Sequence, residues 1–172
     1  MITKFLRENL YAAYALTLLR LYIGYEWMTA GWGKITGGAF DASGFLKGAI
    51  GKAAGDNPSV QAWWASFLES FALPNADLFT FLVQWGEFLV GIGLIVGCFT
   101  TFAALMGLVM NFAFLFSGTV STNAQMVALT IFIVVAGANA GRIGADRYVL
   151  PYLKNLLFKG SKKEIGAKTA VH

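Results

Sequence analysis

The chain is short of nearly everything that soluble catalysis draws on. It has one cysteine, Cys98, and one histidine, His172. A lone cysteine excludes an intrachain disulfide and a Cys-x-x-Cys redox pair. A lone histidine removes the usual haem ligation and most transition-metal sites. There is no glycine-rich phosphate loop and no internal repeat. Charge is scarce too, at 13% of 172 residues, against about 25% in a soluble domain. Between Asp77 and Arg142 the only charged residue is Glu87. So few charges cannot cover a soluble surface across that half of the chain.

What is present is apolar. Hydrophobic residues make up 57% of the chain and aromatic residues 15%, and the mean hydropathy is +0.62. These values predict an integral membrane protein. Four apolar segments lie near the ~20 residues needed to cross a bilayer. They run from about Leu10 to Gly33, Leu78 to Gly97, Phe102 (or Thr100) to Phe116, and Ala124 to Ala140. Backbone polar groups in hydrocarbon must bond within their own segment, so each is expected to be a helix. The expected fold is all-α: a four-transmembrane-helix bundle over residues 1–150, with an external loop at 35–76 and a basic tail at 151–172. The basic start runs into a long apolar segment containing Arg20, which suits an uncleaved first membrane helix better than a signal peptide.

Lys4 and Arg7 precede the first segment, and Arg142, Arg147 and five lysines follow the fourth. The excess of Lys and Arg at both ends predicts cytoplasmic termini in a plasma membrane. The 35–76 loop then lies outside. It is predicted to hold two short amphipathic helices. One runs through ASGFLKGAIGKAA. The other starts with Asn57 as cap and Pro58 at the first position and ends at Pro74. These helices are expected to anchor at the outer interface, a lid over a cavity being the alternative. Asp146 is expected to cap a helix through YVLPYLKNLLF, kinked at Pro151. The tail beyond it is polar and basic, suited to disorder and to an anionic leaflet.

The ionisable groups inside the segments carry the functional reading. At 100° per residue, Arg20, Gly24, Trp27, Gly31 and Lys34 share one stripe of the first segment. Gln84, Glu87 and Gly91 share one of the second, and Gly107 and Asn111 one of the third. Small residues on these stripes allow close helix approach. Arg20 and Glu87 each lie about ten residues from a segment end, or ~15 Å of rise. An unpaired charge at mid-depth costs about 3 kcal/mol. Arg20 is therefore expected to pair with Glu87, with Asn111 nearby; a purely architectural ion pair is the alternative. Lys34 is expected to snorkel to water. Glu26 is expected either to face an outward cavity as a proton carrier or to sit at the interface satisfied by Tyr22, Lys34 or water.

LLRLYIGYEWMTAGWGKI, WGEFLVGIGLIVGCFTTFAAL and GRIGADR together resemble the DoxX family of small four-span membrane proteins. The resemblance rests on Arg20, Gly24, Gly31 and Lys34; on Gly86, Glu87, Gly91, Leu94, Gly97 and Thr100; and on the Gly-Arg-x-x-x-Asp-Arg ending. Thr101 departs from the arginine of many relatives. The Trp-rich loop and GLVMNFAFLFSGTVSTN resemble the DoxD branch, the membrane subunit of thiosulfate:quinone oxidoreductase. That resemblance implies oxidation of thiosulfate to tetrathionate, a second subunit, and membrane quinone as electron acceptor, with no intrinsic cofactor. Catalytic roles then fall to Arg20, Glu26 and Glu87, and a pocket to Trp27, Gly31, Lys34, Gln84, Gly91 and Asn111. The expected partners are the bilayer and that second subunit, not nucleic acid. A non-catalytic redox scaffold and a small-solute or proton transporter remain as alternatives.

Overall fold

A computed structural model describes residues 1–156; the tail expected to be disordered lies outside the described residues from position 157 on. The described residues are helical with no strands. A short α1 (Ile2–Glu8) precedes the long α2 (Leu10–Gly37). Asn9 separates them and caps α2, its side chain accepting from the backbone N–H groups of Tyr11 (2.8 Å) and Ala12 (3.3 Å). α2 ends at Gly38, whose φ of 62° is left-handed and suits glycine. Two short helices follow, α3 (Ala42–Gly51) and α4 (Ala62–Phe67), then α5 (Ala76–Val96), α6 (Thr100–Phe116) and α7 (Asn123–Ala136). Residues 137–141 continue α7 as a tighter turn, and residues 146–156 are helical through Pro151.

α2, α5, α6 and α7 close a ring, each packed on the next and α7 back on α2. The tightest seam joins α2 and α5. There Gly24 faces the Gly91 carbonyl, a Cβ at Gly24 standing 3.0 Å from that oxygen, and Gly31 and Gly91 meet the backbones of Phe88 and Met28. No larger residue fits Gly31 or Gly91 without moving a helix. The stretches Ala62–Val96 and Asn123–Gly141 are long and apolar enough to cross a bilayer, and α6 is a shorter apolar helix. α2 is long enough, but Arg20, Glu26 and Lys34 dilute its apolar character.

The loop departs from its expected form in two ways. Its second helix begins at Ala62 with Gln61 as cap, not at Asn57–Pro58, because residues 51–60 are used in turns. It does not stop at Pro74. A π-helical turn (Leu68–Ala72) and a 3-10 turn (Leu73–Asn75) carry it into α5. Pro74 lies in the first turn of that 3-10 segment, and its missing N–H coincides with the change of hydrogen-bond pattern from π to 3-10 within the continuous helix. The loop helices also bury a core of their own, with Leu46, Ala49, Leu68 and Ala72 at 4% exposure or less. They form a cap packed over one end of the bundle. The other end, bearing α1 and residues 142–156, is the basic end.

Candidate functional site

The α2–α5 register decides which charges meet. Arg20 lies against Gly97, at the end of α5, and its guanidinium donates to the carbonyls of Ala140 (3.1 Å) and Ile143 (2.8 Å). Glu87 lies ten residues earlier in α5, about 15 Å toward the cap. The expected Arg20–Glu87 pair is therefore absent. Glu87 instead accepts a 2.6 Å ion pair from Lys34, which does not snorkel free. Counting from segment ends failed because α2 spans 28 residues and α5 only 21. Ten residues from the start of α2, Arg20 lies level with Gly97 at the end of α5, not with Glu87.

Arg20 is held by a joint built from the GRIGADR stretch. The backbone N–H of Ala145 donates to the Val96 carbonyl (3.1 Å) and that of Asp146 to Gly97 (2.7 Å). The Asp146 carboxylate accepts from the N–H groups of Phe99 (2.6 Å) and Thr100 (2.9 Å). Asp146 thus caps α6, not the helix that it begins, and a carboxylate at that N-terminus complements the helix dipole. Gly97 and Gly144 leave room for the guanidinium: a Cβ on Gly144 would stand 2.8 Å from it. Asn139 donates to the carbonyls of Leu6 (2.8 Å) and Asn9 (3.0 Å), tying α1 to the same joint.

The Lys34–Glu87 pair has a different setting. It borders a cavity of about 340 Å³ between the bundle and the cap. Glu26, Trp27 and Lys34 of α2 form one wall, and Phe79, Val83 and Glu87 of α5 another. Phe114 of α6 and Met126 of α7 close the far side, while Phe45, Leu46, Trp64 and Leu68 make the roof. Glu87 is 3% exposed and Lys34 26% by side chain. The Lys34 ammonium also stands 5.5 Å from the Phe40 ring, a cation–π contact. Three polar contacts fasten the roof to the bundle. Trp64 Nε1 donates to Ser117 Oγ (3.0 Å), Lys52 to the Gly118 carbonyl (3.1 Å), and Ala42 N–H to Thr80 Oγ1 (2.9 Å).

Of the residues expected at the site, Glu26, Trp27, Lys34 and Glu87 come together on this cavity. Arg20 contributes nothing to its wall. Gly31 and Gly91 are taken up by the α2–α5 seam, where their role is close approach. Gln84 stands behind the ion pair and donates to the Lys34 carbonyl (3.3 Å). Asn111 is fully buried one helical turn from Phe114, and both atoms of its amide lack a partner among the described residues, as does Trp27 Nε1. The roof of Phe45 and Trp64 corresponds to the alternative reading of the loop helices as a lid over a cavity, although neither residue stood among the expected site residues. Matching Gly24 and Gly31 to Gly91 in antiparallel register was a signal that would have paired Lys34 with Glu87.

At 340 Å³ the cavity falls in the range of small-molecule sites, about 300–1,000 Å³, and has their make-up of apolar walls with few polar groups. It suits a flat ring carrying acceptor oxygens: aromatic faces above and beside, and the Lys34 ammonium as donor at one end. Among the described residues no cluster of His, Cys, Asp or Glu has metal-binding geometry. Neither the curated proteins nor the solved structures compared with the chain give a match. Comparison with protein families matches residues 15–139 to DoxX, a segment that contains the glycine seam, the Lys34–Glu87 pair, and Arg20 without its carbonyl acceptors Ala140 and Ile143. With apolar helices closing a ring around that seam, the chain belongs to the DoxX family of membrane proteins.

Proposed function

We propose that the chain is the membrane subunit of a quinone-linked oxidoreductase, with the quinone ring in the cavity under the cap. The observation that carries this reading is a buried ion pair, Lys34–Glu87, at the polar end of an aromatic-walled cavity. A buried pair is seldom worth its desolvation for stability alone, and this one faces open space. All four ring helices cross a plasma membrane in this proposal. The basic end lies in the cytoplasm by the Lys/Arg excess, and the cap lies outside.

The DoxD-like stretch supplies the reaction class. Two thiosulfates lose one electron each and join through a new S–S bond as tetrathionate. The quinone takes up the two electrons and two protons to become quinol. Lys34 holds a quinone oxygen, and Glu26 and Glu87 pass protons to the ring. The chain has no cysteine pair and no internal histidine, so electrons pass directly from the sulfur anion or through a second subunit. That same scarcity favours the rival reading, a non-catalytic scaffold for redox partners.

Purified protein in liposomes, with its co-purifying subunit, decides between them. Quinone reduction driven by thiosulfate, lost in Glu87→Gln and Lys34→Gln while the protein stays folded, is the expected result. Unchanged turnover in both variants, or no turnover with the subunit present, removes the quinone reading. Solute or proton flux without redox change points to transport instead.

A further inference from the structure

The basic end carries a second concavity, far from the cavity under the cap and unused by the oxidoreductase reading. It is an open cleft of about 1420 Å³ between α1, the end of α7 and helix 146–156. Arg7, Arg142, Arg147 and Lys154 line it, with Glu8 and Asp146 as its only carboxylates among the described residues. The Asp146 carboxylate is already committed to two backbone N–H groups of the α6 start. Arg7 and Arg142 each give one N–H to a backbone carbonyl, that of Val135 (2.9 Å) and that of Glu8 (3.3 Å). The Arg147 and Lys154 side chains make no hydrogen bond or ion pair among the described residues, where Lys34–Glu87 is the single ion pair; the Arg147 guanidinium stands 6.0 Å from the ring of its neighbour Tyr148. The lip of the cleft is apolar and aromatic, with Leu10, Tyr14 and Tyr148 at 45%, 56% and 73% exposure.

We infer that this cleft binds the phosphate headgroup of an anionic phospholipid. Arginine forks match phosphate oxygens, and a surplus of cations selects a net negative headgroup over a zwitterionic one. Tyrosine rings at the lip sit where aromatic side chains favour the headgroup level of a bilayer. The apolar lip continues into Ile2 and Phe5 of α1, 75% and 51% exposed, and into Leu156, 62% exposed. Acyl chains cover such a surface, whereas an acidic soluble protein would answer the cations and leave it bare. The site is independent of any reaction in the other cavity.

The test uses the full chain in detergent, titrated with phosphatidylglycerol or phosphatidylcholine and read by native mass spectrometry. Arg147→Gln/Lys154→Gln is the variant of choice, since among the described residues neither side chain bonds to another element and Arg147 meets only its neighbour Tyr148. At about fivefold per cation, the pair is expected to lower phosphatidylglycerol affinity about 25-fold. Phosphatidylcholine binding stays weak in both proteins, and Arg147→Lys, which keeps the charge and loses the fork, is expected to bind phosphatidylglycerol more weakly than the wild type and more tightly than Arg147→Gln. Unchanged helicity and thermal unfolding show that the variant is folded. Equal binding of the two lipids overturns the inference, as does an unaffected double variant. Displacement of the lipid by millimolar inorganic phosphate also overturns it, in favour of a free-anion site. So does loss of a bound acidic protein with lipid binding intact.

Discussion

At the basic end Arg20 is 2% exposed and donates to two carbonyls; at the capped end Glu87 is just as buried and holds Lys34. Both are buried charges within apolar stretches of helix, and in the sequence they look alike. Their surroundings differ. Arg20 is enclosed by Gly97, Gly144 and the Asp146 cap and lines neither the cavity under the cap nor the basic cleft. The Lys34–Glu87 pair borders about 340 Å³ of cavity. The first charge joins the ends of four helices, and the second is placed where a ligand can reach it. Burial of a charge is thus not in itself a sign of function; the sign is burial beside open volume.

The largest expected effect that would test this contrast is on stability at the joint. Arg20→Met leaves the carbonyls of Ala140 and Ile143 unpaired, which costs about 2–4 kcal/mol. Thermal unfolding in detergent measures it. A loss no greater than that of Glu87→Gln would erase the difference between the two ends. Next is Lys34→Met, which strands the Glu87 carboxylate. It costs about 2 kcal/mol, less than a fully buried pair because Lys34 is 26% exposed. Lys34→Met/Glu87→Met is expected to recover most of that loss while losing ligand binding, which separates architecture from function at the capped end.

A smaller effect concerns the roof. Trp64→Phe removes the hydrogen bond to Ser117 at about 1 kcal/mol. It is expected to raise amide exchange in α4 without touching the basic end. The smallest concerns α3. Asp41 caps it, accepting from Ser43 N–H at 2.9 Å. The Ser43 hydroxyl, and after it the Ser43 N–H, holds the Asp41 carboxyl below the usual aspartate value. A lowered value in the folded state means that the cap is fully present above the ordinary aspartate range. It is lost as pH falls through the lowered value. Exchange in α3 is expected to rise there in the wild type and not in Asp41→Asn.

Much of this was legible in the residues. The four ring helices start and stop within a few residues of the apolar segments, because hydropathy and capping are local properties. Gly24, Gly31 and Gly91 marked the seam, since only glycine permits backbones that close. Glu87 was recognisable as buried because no other charge lies between Asp77 and Arg142. Its partner was not. A 28-residue helix can slide past a 21-residue one, and counting from segment ends put Arg20 at the wrong height. Asp146 looked like the cap of its own helix because capping preferences do not say which nearby helix start will be reached.

Composition and periodicity settled the helical class, the apolar ring and the glycine seam, all of which depend on residues near one another in the chain. The pairing of Lys34 with Glu87, the enclosure of Arg20 by Gly97 and Gly144, and the aromatic roof of the cavity depend on the register between helices. That register is a sum over many weak contacts distant in sequence, and it exists only once the helices have packed.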